Sequence, residues 1–266
     1  MSESPAPSAD YIQSLARGLA VIRAFDVDHP RLTLSEVARA ASTTRATARR
    51  CLITLVEVGY VRNDGRYFAL RPSVLELGYA YLSSLTLPEI AQPHLEELAQ
   101  TVKEACSIAV LDDDDVVYVA RVTTKRIMTL TINVGTRFPA YATSMGRVLL
   151  APQSPQWLDA YLARTELRPF TDRTITEPAK FRSMLRRVQI QGFALSDQEL
   201  ENGIRSLAAP IRDATGTVVA AMNVSMHESR GSSEVIRKDL LPNLWNSVQS
   251  VENDIAGRYG RTNGHT

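Results

Sequence analysis

Residues 43–70 read TTRATARRCLITLVEVGYVRNDGRYFAL, and a change of period inside this stretch decides the fold. In its first half Ala48, Cys51, Leu52 and Leu55 recur at the three- and four-residue spacing of one helix face. Ser42 and Thr43 are placed to cap that helix, and Gly59 to stop it. From Tyr60 the pattern becomes two short β-rich pieces around Asn63, Asp64 and Gly65, the signature of a hairpin. Working outward, SLARGLAVIRAF (14–25) places Leu15, Leu19, Ile22 and Phe25 on one helical stripe. LTLSEVARAA (32–41) predicts a short second helix started by Ser35. Three helices followed by a hairpin within about 60 residues define a winged helix-turn-helix over 11–71, after a disordered lead over 1–10.

Pro72 opens a further helical stretch over 72–87, whose Val74, Leu77, Tyr81 and Leu85 make it too apolar for a flexible tether. It predicts a rigid linker helix that packs against a second copy of itself. Residues 88–260 then carry α/β grammar. A helix from Pro88 leads to strands CSIAVL, VVYVARV and MTLTINV, then helices at 144–150, 155–164 and 178–191. Strands at 193–195, 206–212 and 218–226 come next, and a long amphipathic helix from Ser233 ends the series. The class is α+β.

Composition narrows the function. The 266 residues are 44% hydrophobic and 22% charged, with no apolar run of about 20 residues, which excludes a helical membrane protein. The start, MSESPAPSADYIQ, lacks the features of a signal peptide, and two cysteines are too few for a disulfide framework; both point to the cytoplasm. The formal charge is +1, yet residues 43–71 hold six arginines against Glu57 and Asp64, a local net of +4, while 73–266 carry a net of −2. Positive charge gathered at one end fits an anion-binding module.

On the third helix the side away from the apolar face carries Thr43, Ala46, Thr47, Arg50 and Ile53, flanked by Arg49, with Thr44 and Arg45 at its start. A short cationic face of small residues suits a major groove, where arginine can donate twice to guanine, threonine can bond base or phosphate, and alanine can touch a thymine methyl. Arg62, Asn63 and Arg66 would sit on the wing, near phosphates or an adjacent minor groove. The expected partner is double-stranded DNA.

These segments resemble the IclR family of bacterial transcriptional regulators. SLARGLAVIRAF, LTLSEVARAA with the arginine-bearing helix, and GYV before the wing are similar to its DNA-binding half. FPAYATSMGRVLLA and QELENGIRSLAAPIRDATGTVVAAMNVS are similar to its effector domain. The likeness runs over about 11–258 in order. Within the family it is most similar to the branch controlling the β-ketoadipate pathway, whose effectors include protocatechuate, 4-hydroxybenzoate or β-ketoadipate. The resemblance implies a GAF-like effector domain, a curved antiparallel sheet with a ligand cavity beside it. It further implies a dimer or dimer of dimers and a small carboxylate effector; some members of the family bind zinc, but nothing in this sequence points to it, and no cofactor is expected. Carried over by position, Ala142, Thr143, Ser144, Met145 and Gly146 line the cavity mouth, where helix-start amides can hold a carboxylate. Asp197, Glu199, Ile204 and Ser206 face the cavity, as do Asn223 and Ser225 on the last strand. Asn223 replaces a commoner serine. Asp197 or Glu199 would accept the hydroxyls of an aromatic ligand.

Other chemistries are weaker. Ser144 lacks a Gly-x-Ser-x-Gly elbow and a partner histidine, so catalysis is not expected. His29, His94 and His227 show no ligand spacing, and the run Asp112 to Asp115 between two strands reads as a solvated turn rather than a metal site. Arg137, Arg147 and Arg205 are each open to pairing either with an anionic ligand or with a carboxylate of the scaffold. Competing functions are a small-molecule-binding enzyme or sensor with a vestigial DNA module, and a regulator of another small-acid pathway.

Overall fold

A computed structural model describes residues 8, 10–78, 86–123 and 132–262. The chain forms two compact units, Met1–Ser84 and Leu85–Thr266. Most of the expected linker helix beyond Gly78, and most of the expected strand MTLTINV, lie outside the described residues.

In the first unit α1 (Gln13–Ile22), α2 (Leu34–Ala40) and α3 (Arg45–Glu57) precede an antiparallel wing of β1 (Val61–Asn63) and β2 (Phe68–Leu70). Both helix starts differ from the sequence expectation. Thr33, not Ser35, caps α2, because Glu36 lies three residues on and closes a reciprocal capping box with it. Thr44, not Ser42 or Thr43, caps α3 by accepting from the Thr47 amide at 3.2 Å. Gly59 ends α3 in the left-handed conformation (φ 87°), with the Gly59 amide bonded to Val56 and the Tyr60 amide to Leu55, as a glycine stop requires. Val21, Val37, Ala48, Leu52, Leu55 and Val61 form the core. Leu32 bridges Phe68 and adds a third short strand contact to the wing.

The second unit is a six-stranded antiparallel sheet in the order β5-β4-β3-β8-β7-β6. Its strands are β3 (Ala105–Asp112), β4 (Asp115–Val122), β5 (Arg137–Pro139), β6 (Ala194–Asp197), β7 (Ile204–Arg212) and β8 (Val218–His227). On one face α4 (Thr86–Val102) and α8 (Ser233–Thr262) bury Leu95, Leu98, Leu240 and Leu244 against Ile108, Leu207, Met222 and Val224. On the other face α5 (Ser144–Leu150), α6 (Pro155–Arg164) and α7 (Pro178–Gln191) bury Met145, Leu149, Tyr161 and Phe181 against Ala109, Tyr118, Ala208 and Ala221. Among the described residues no helix is long and apolar enough to cross a membrane.

The pairing of β3 with β4 is irregular. Ile108 pairs with Ala120 but Ala109 pairs with Tyr118, so Val119 is an unmatched bulge residue. A bulge shifts strand alternation by one. Tyr118 and Arg121, three apart, therefore point to the same side of the sheet, the side of α5.

Candidate functional site

The first unit offers a cationic surface. Arg45, Ala46, Arg49 and Arg50 are exposed on α3, opposite the buried Ala48, Leu52 and Leu55. Arg50 leans toward α1, lining a groove of about 630 Å3 with Leu15, Leu19, Ile22 and Leu77, whereas Arg49 is no part of that groove. Thr44 and Thr47 are tied to the helix start, the Thr44 hydroxyl donating to Thr47 Oγ1 at 2.9 Å. On the wing Arg62 and Arg66 are exposed, and Asn63 Oδ1 accepts from the Gly65 amide at 2.9 Å, which fixes the tip. Arg31, which no sequence pattern marks, joins this surface: it pairs with Asp64, and both Arg31 and Arg66 lie 5.1 Å over the Tyr67 ring. Arg17 and Arg39 flank Thr43 and Thr44 in a shallow cleft at the helix-turn-helix elbow. Their proximity depends on how α1 crosses α2, which no local pattern reports.

The second unit holds a small cavity of about 40 Å3 between the sheet and α5. Of the expected residues, Ala142, Thr143, Ser144, Met145, Ile204, Ser206, Asn223 and Ser225 line it. Its floor is a hydroxyl cluster. Ser144 and Ser206 are 2.8 Å apart, Asn223 Nδ2 donates to Ser206 at 2.8 Å and to Ser225 at 3.0 Å, and Ser225 donates to Ser206 at 3.2 Å. Ser206 thus accepts twice and has one hydrogen, which goes to Ser144. The Ser144 hydrogen is left to face the cavity.

Three expected residues are not in the lining. Gly146 is held against Ala140: a Cβ there would sit 2.0 Å from the Ala140 carbonyl oxygen, and its amide already donates to Thr143 Oγ1 at 2.9 Å. Asp197 is committed to Arg205 at 2.6 Å and Arg173 at 3.2 Å; burial raises its pKa, but the Arg205 and Gln198 hydrogen bonds outweigh this and hold it below its ordinary value. Glu199, buried, takes a bidentate pair with Arg147, Nη1 lying 2.5 Å from Oε1 and Nη2 bonding Oε2. Arg147 is 2% exposed and also donates to the Tyr141 carbonyl at 3.2 Å. The side chain at 201, not 197 or 199, reaches the cavity, because Gln198 takes a left-handed turn (φ 62°) as the chain leaves β6. Tyr118, Ile132, Ser196, Leu200 and Glu201 complete the lining.

The three arginines that the sequence left open are all scaffold partners: Arg147 pairs with Glu199, Arg205 with Asp197, and Arg137 with Asp112 and Asp115. Asp114 pairs with Arg164, so three of the four acids in the Asp112 to Asp115 turn are neutralised by arginine. Among the described residues no group of three or more His, Cys, Asp or Glu side chains could hold a metal.

A winged helix-turn-helix joined to a unit with an enclosed polar-floored cavity defines a DNA-binding protein with a small-molecule site. The chain belongs to the IclR family of bacterial transcriptional regulators. The family's helix-turn-helix domain matches residues 14–65, and the bacterial transcriptional regulator IclR C-terminal domain matches 79–253. The chain is 44% identical to the Pca regulon regulatory protein of Pseudomonas putida over 236 residues, covering 88% of this chain and 81% of that one. Among solved structures, a transcriptional regulator from Rhodococcus sp. RHA1 is similar at TM-score 0.83 and 55% identity, covering 92% of this chain and 98% of that one. An IclR homolog of Microbacterium hydrocarbonoxydans complexed with 4-hydroxybenzoate is similar at TM-score 0.80 and 27% identity, covering 91% and 99%.

Proposed function

We propose that this protein is a ligand-responsive regulator of aromatic-acid catabolism in the cytoplasm, binding operator DNA through residues 11–71 and a small aromatic carboxylate in residues 88–260. The observation that carries the reading is the enclosed cluster of Ser144, Ser206, Asn223 and Ser225, whose neutral hydroxyls and amide suit reversible capture of a small polar acid. The relatives support it: one regulates a Pca regulon and another is a complex with 4-hydroxybenzoate.

On the DNA side, Arg49 with Arg45 and Ala46 is the base-reading set. Arg50, Thr43 and Thr47 border it, Thr44 fixes the helix start, and Arg62, Asn63 and Arg66 meet the backbone. The functional unit is a dimer or dimer of dimers. The apolar groove beside Leu15 and Leu19, with Leu75 71% and Leu77 47% exposed, is surface that a second copy would cover.

On the ligand side, 40 Å3 holds on the order of three waters and no aromatic acid. Binding therefore selects a form in which the walls formed by Met145, Leu200 and Ile204 have moved apart. The ligand shifts operator affinity by no more than its preference for that form. The test is fluorescence anisotropy on DNA upstream of the protein's own gene and of adjoining catabolic genes, with and without hydroxybenzoates and β-ketoadipate. Binding that a hydroxybenzoate alters about tenfold supports the reading. No retention of any such DNA at micromolar protein refutes it, as does indifference to every acid in Ser206→Leu, Asn223→Leu and wild type alike.

A further inference from the structure

Among the described residues five buried side-chain polar atoms have no hydrogen-bond partner; two of them, Asn223 Oδ1 and Glu201 Oε2, are on residues that line the cavity, and a third, Arg121 Nε, is on a residue whose cross-strand neighbour Ser107 is itself paired with Asn223. Buried polar groups are almost always paired, so these three atoms on one face of the sheet offer the acceptors and the donor that a polar ligand would use. Asn223, 2% exposed, has both amide hydrogens bonded to the serine floor and leaves an acceptor open. Glu201 leaves an anionic acceptor open. Arg121 leaves a cationic donor open, while its Nη1 donates to Ser107 Oγ at 3.1 Å.

Arg121 is on the cavity side. The bulge at Val119 puts it on the face of Tyr118, a lining residue, and cross-strand register runs Arg121, Ser107, Asn223 across β4, β3 and β8. Arg137, Arg147 and Arg205 are all paired with carboxylates, whereas half-buried Arg121 has none among the described residues. Glu201 stands on the far side, just before Ile204 opens β7. β3 and β8 lie between β4 and β7, three strand steps or roughly 14 Å at about 4.8 Å per step, and Glu201, which precedes β7, lies further along the strand direction than the row of Arg121. The two side chains therefore come from opposite ends of the sheet face that floors the cavity.

We propose that Arg121 anchors the effector's carboxylate and that Glu201, with Asn223, accepts its ring hydroxyl, so that the cavity selects hydroxylated aromatic monocarboxylates by reading both ends. The proposal rests on the aromatic-acid function and adds the residues that set specificity. It also excludes an aliphatic dicarboxylate as the preferred effector, since that molecule has no hydroxyl for Glu201 and would oppose one carboxylate to another.

The test is calorimetric titration of the full chain with 4-hydroxybenzoate, 4-hydroxybenzamide, benzoate and adipate. Wild type is expected to prefer the acid to its amide by about 10- to 100-fold, the worth of a hydrogen bond to a charged group. Arg121→Gln should bring that ratio to within about threefold, whereas Arg121→Lys should keep a preference for the acid. Glu201→Met should weaken 4-hydroxybenzoate about tenfold and leave benzoate unchanged. An unaltered acid-to-amide ratio in folded Arg121→Gln overturns the proposal alone, and a wild-type ratio near one overturns it whether or not the variants fold. Binding of adipate as tight as that of 4-hydroxybenzoate does the same. Wild type that binds none of the four overturns the aromatic-acid function and this proposal together.

Discussion

Arg147 and Glu199 are 52 residues apart in sequence yet form a buried bidentate pair between α5 and the turn that carries Leu200 and Glu201 to the cavity. Glu199→Gln keeps the shape and removes the charge. Arginine cannot discard its proton to relieve the loss, so the variant leaves a 2%-exposed cation without its counter-charge. Breaking one member of such a pair costs about 3–5 kcal/mol. The retained amide oxygen still accepts one bond, which places the expected cost near the lower end, about 3 kcal/mol. For a unit of this size 1 kcal/mol moves the midpoint by roughly 2–4 °C, so the second unit's melting temperature should fall by about 6–12 °C. Replacing both groups, as in Arg147→Met with Glu199→Leu, should cost clearly less than the two single changes together, because no unpaired charge remains. The assay is thermal and urea unfolding of the wild type, the two single variants and the double variant, with Glu199→Gln alongside, followed by circular dichroism. A loss below about 1 kcal/mol in Glu199→Gln, or strict additivity in the double variant, would refute the assignment of this pair as a coupled buried contact.

Gly146→Ala brings a Cβ to 2.0 Å from the Ala140 carbonyl oxygen and 2.4 Å from its Cα, an obstacle made of backbone; the loss should reach about 3 kcal/mol in urea unfolding, and a loss under about 0.5 kcal/mol would contradict the packing. Arg49→Ala should weaken operator binding by about 1–3 kcal/mol and relax its sequence preference, while Arg66→Ala should weaken all sequences alike and lower the salt slope by about one phosphate contact; anisotropy at several salt concentrations separates the two patterns. Burial pushes the Cys106 thiol up to about 12, with Glu104 adding to the rise, so in the folded protein a thiol reagent at neutral pH should modify half-exposed Cys51 and leave Cys106 until unfolding. The folded-state pKa of Asp197 is lowered, so its contribution to stability is present at neutral pH and is lost as pH falls through that lowered value, below the ordinary carboxylate range near 4. Asp197→Asn should flatten the acid side of the stability profile, and an unchanged profile would contradict the Arg205 pairing.

Chain-local physics made much of this protein legible. The helix stripe of Ala48, Leu52 and Leu55, the glycine stop at Gly59, the turn residues Asn63 to Gly65 and the strand-rich runs after Ala105 each depend on neighbours within a turn or a hairpin, and each stands where its pattern placed it. Helix starts moved by one or two residues because several hydroxyls compete for each cap and the one whose geometry reaches the third amide prevails. The hydroxyl floor was reached from the sequence only through the family resemblance, and it is the pairing of β7 with β8 that brings Ser206 opposite Ser225. What the charges do was decided only in three dimensions. The sequence left Arg147 and Arg205 open to a ligand or a scaffold carboxylate; the register of the β6–β7 hairpin gives Arg205 to Asp197, and the packing of α5 against the turn after β6 gives Arg147 to Glu199. Plain alternation along VVYVARV would send Tyr118 and Arg121 to opposite faces. The bulge at Val119 exists only in the pairing with β3, and it puts Arg121 on the same face of the sheet as Tyr118. Glu201 replaces Glu199 at the cavity for the same kind of reason: the left-handed turn at Gln198 and the hydrogen bonds from Thr171 and Thr174 to the carbonyls of 198 and 199 fix which acid faces inward. Periodicity reports which side of an element is apolar, but the partner of a buried charge is a property of two segments brought together, and a single segment does not contain it.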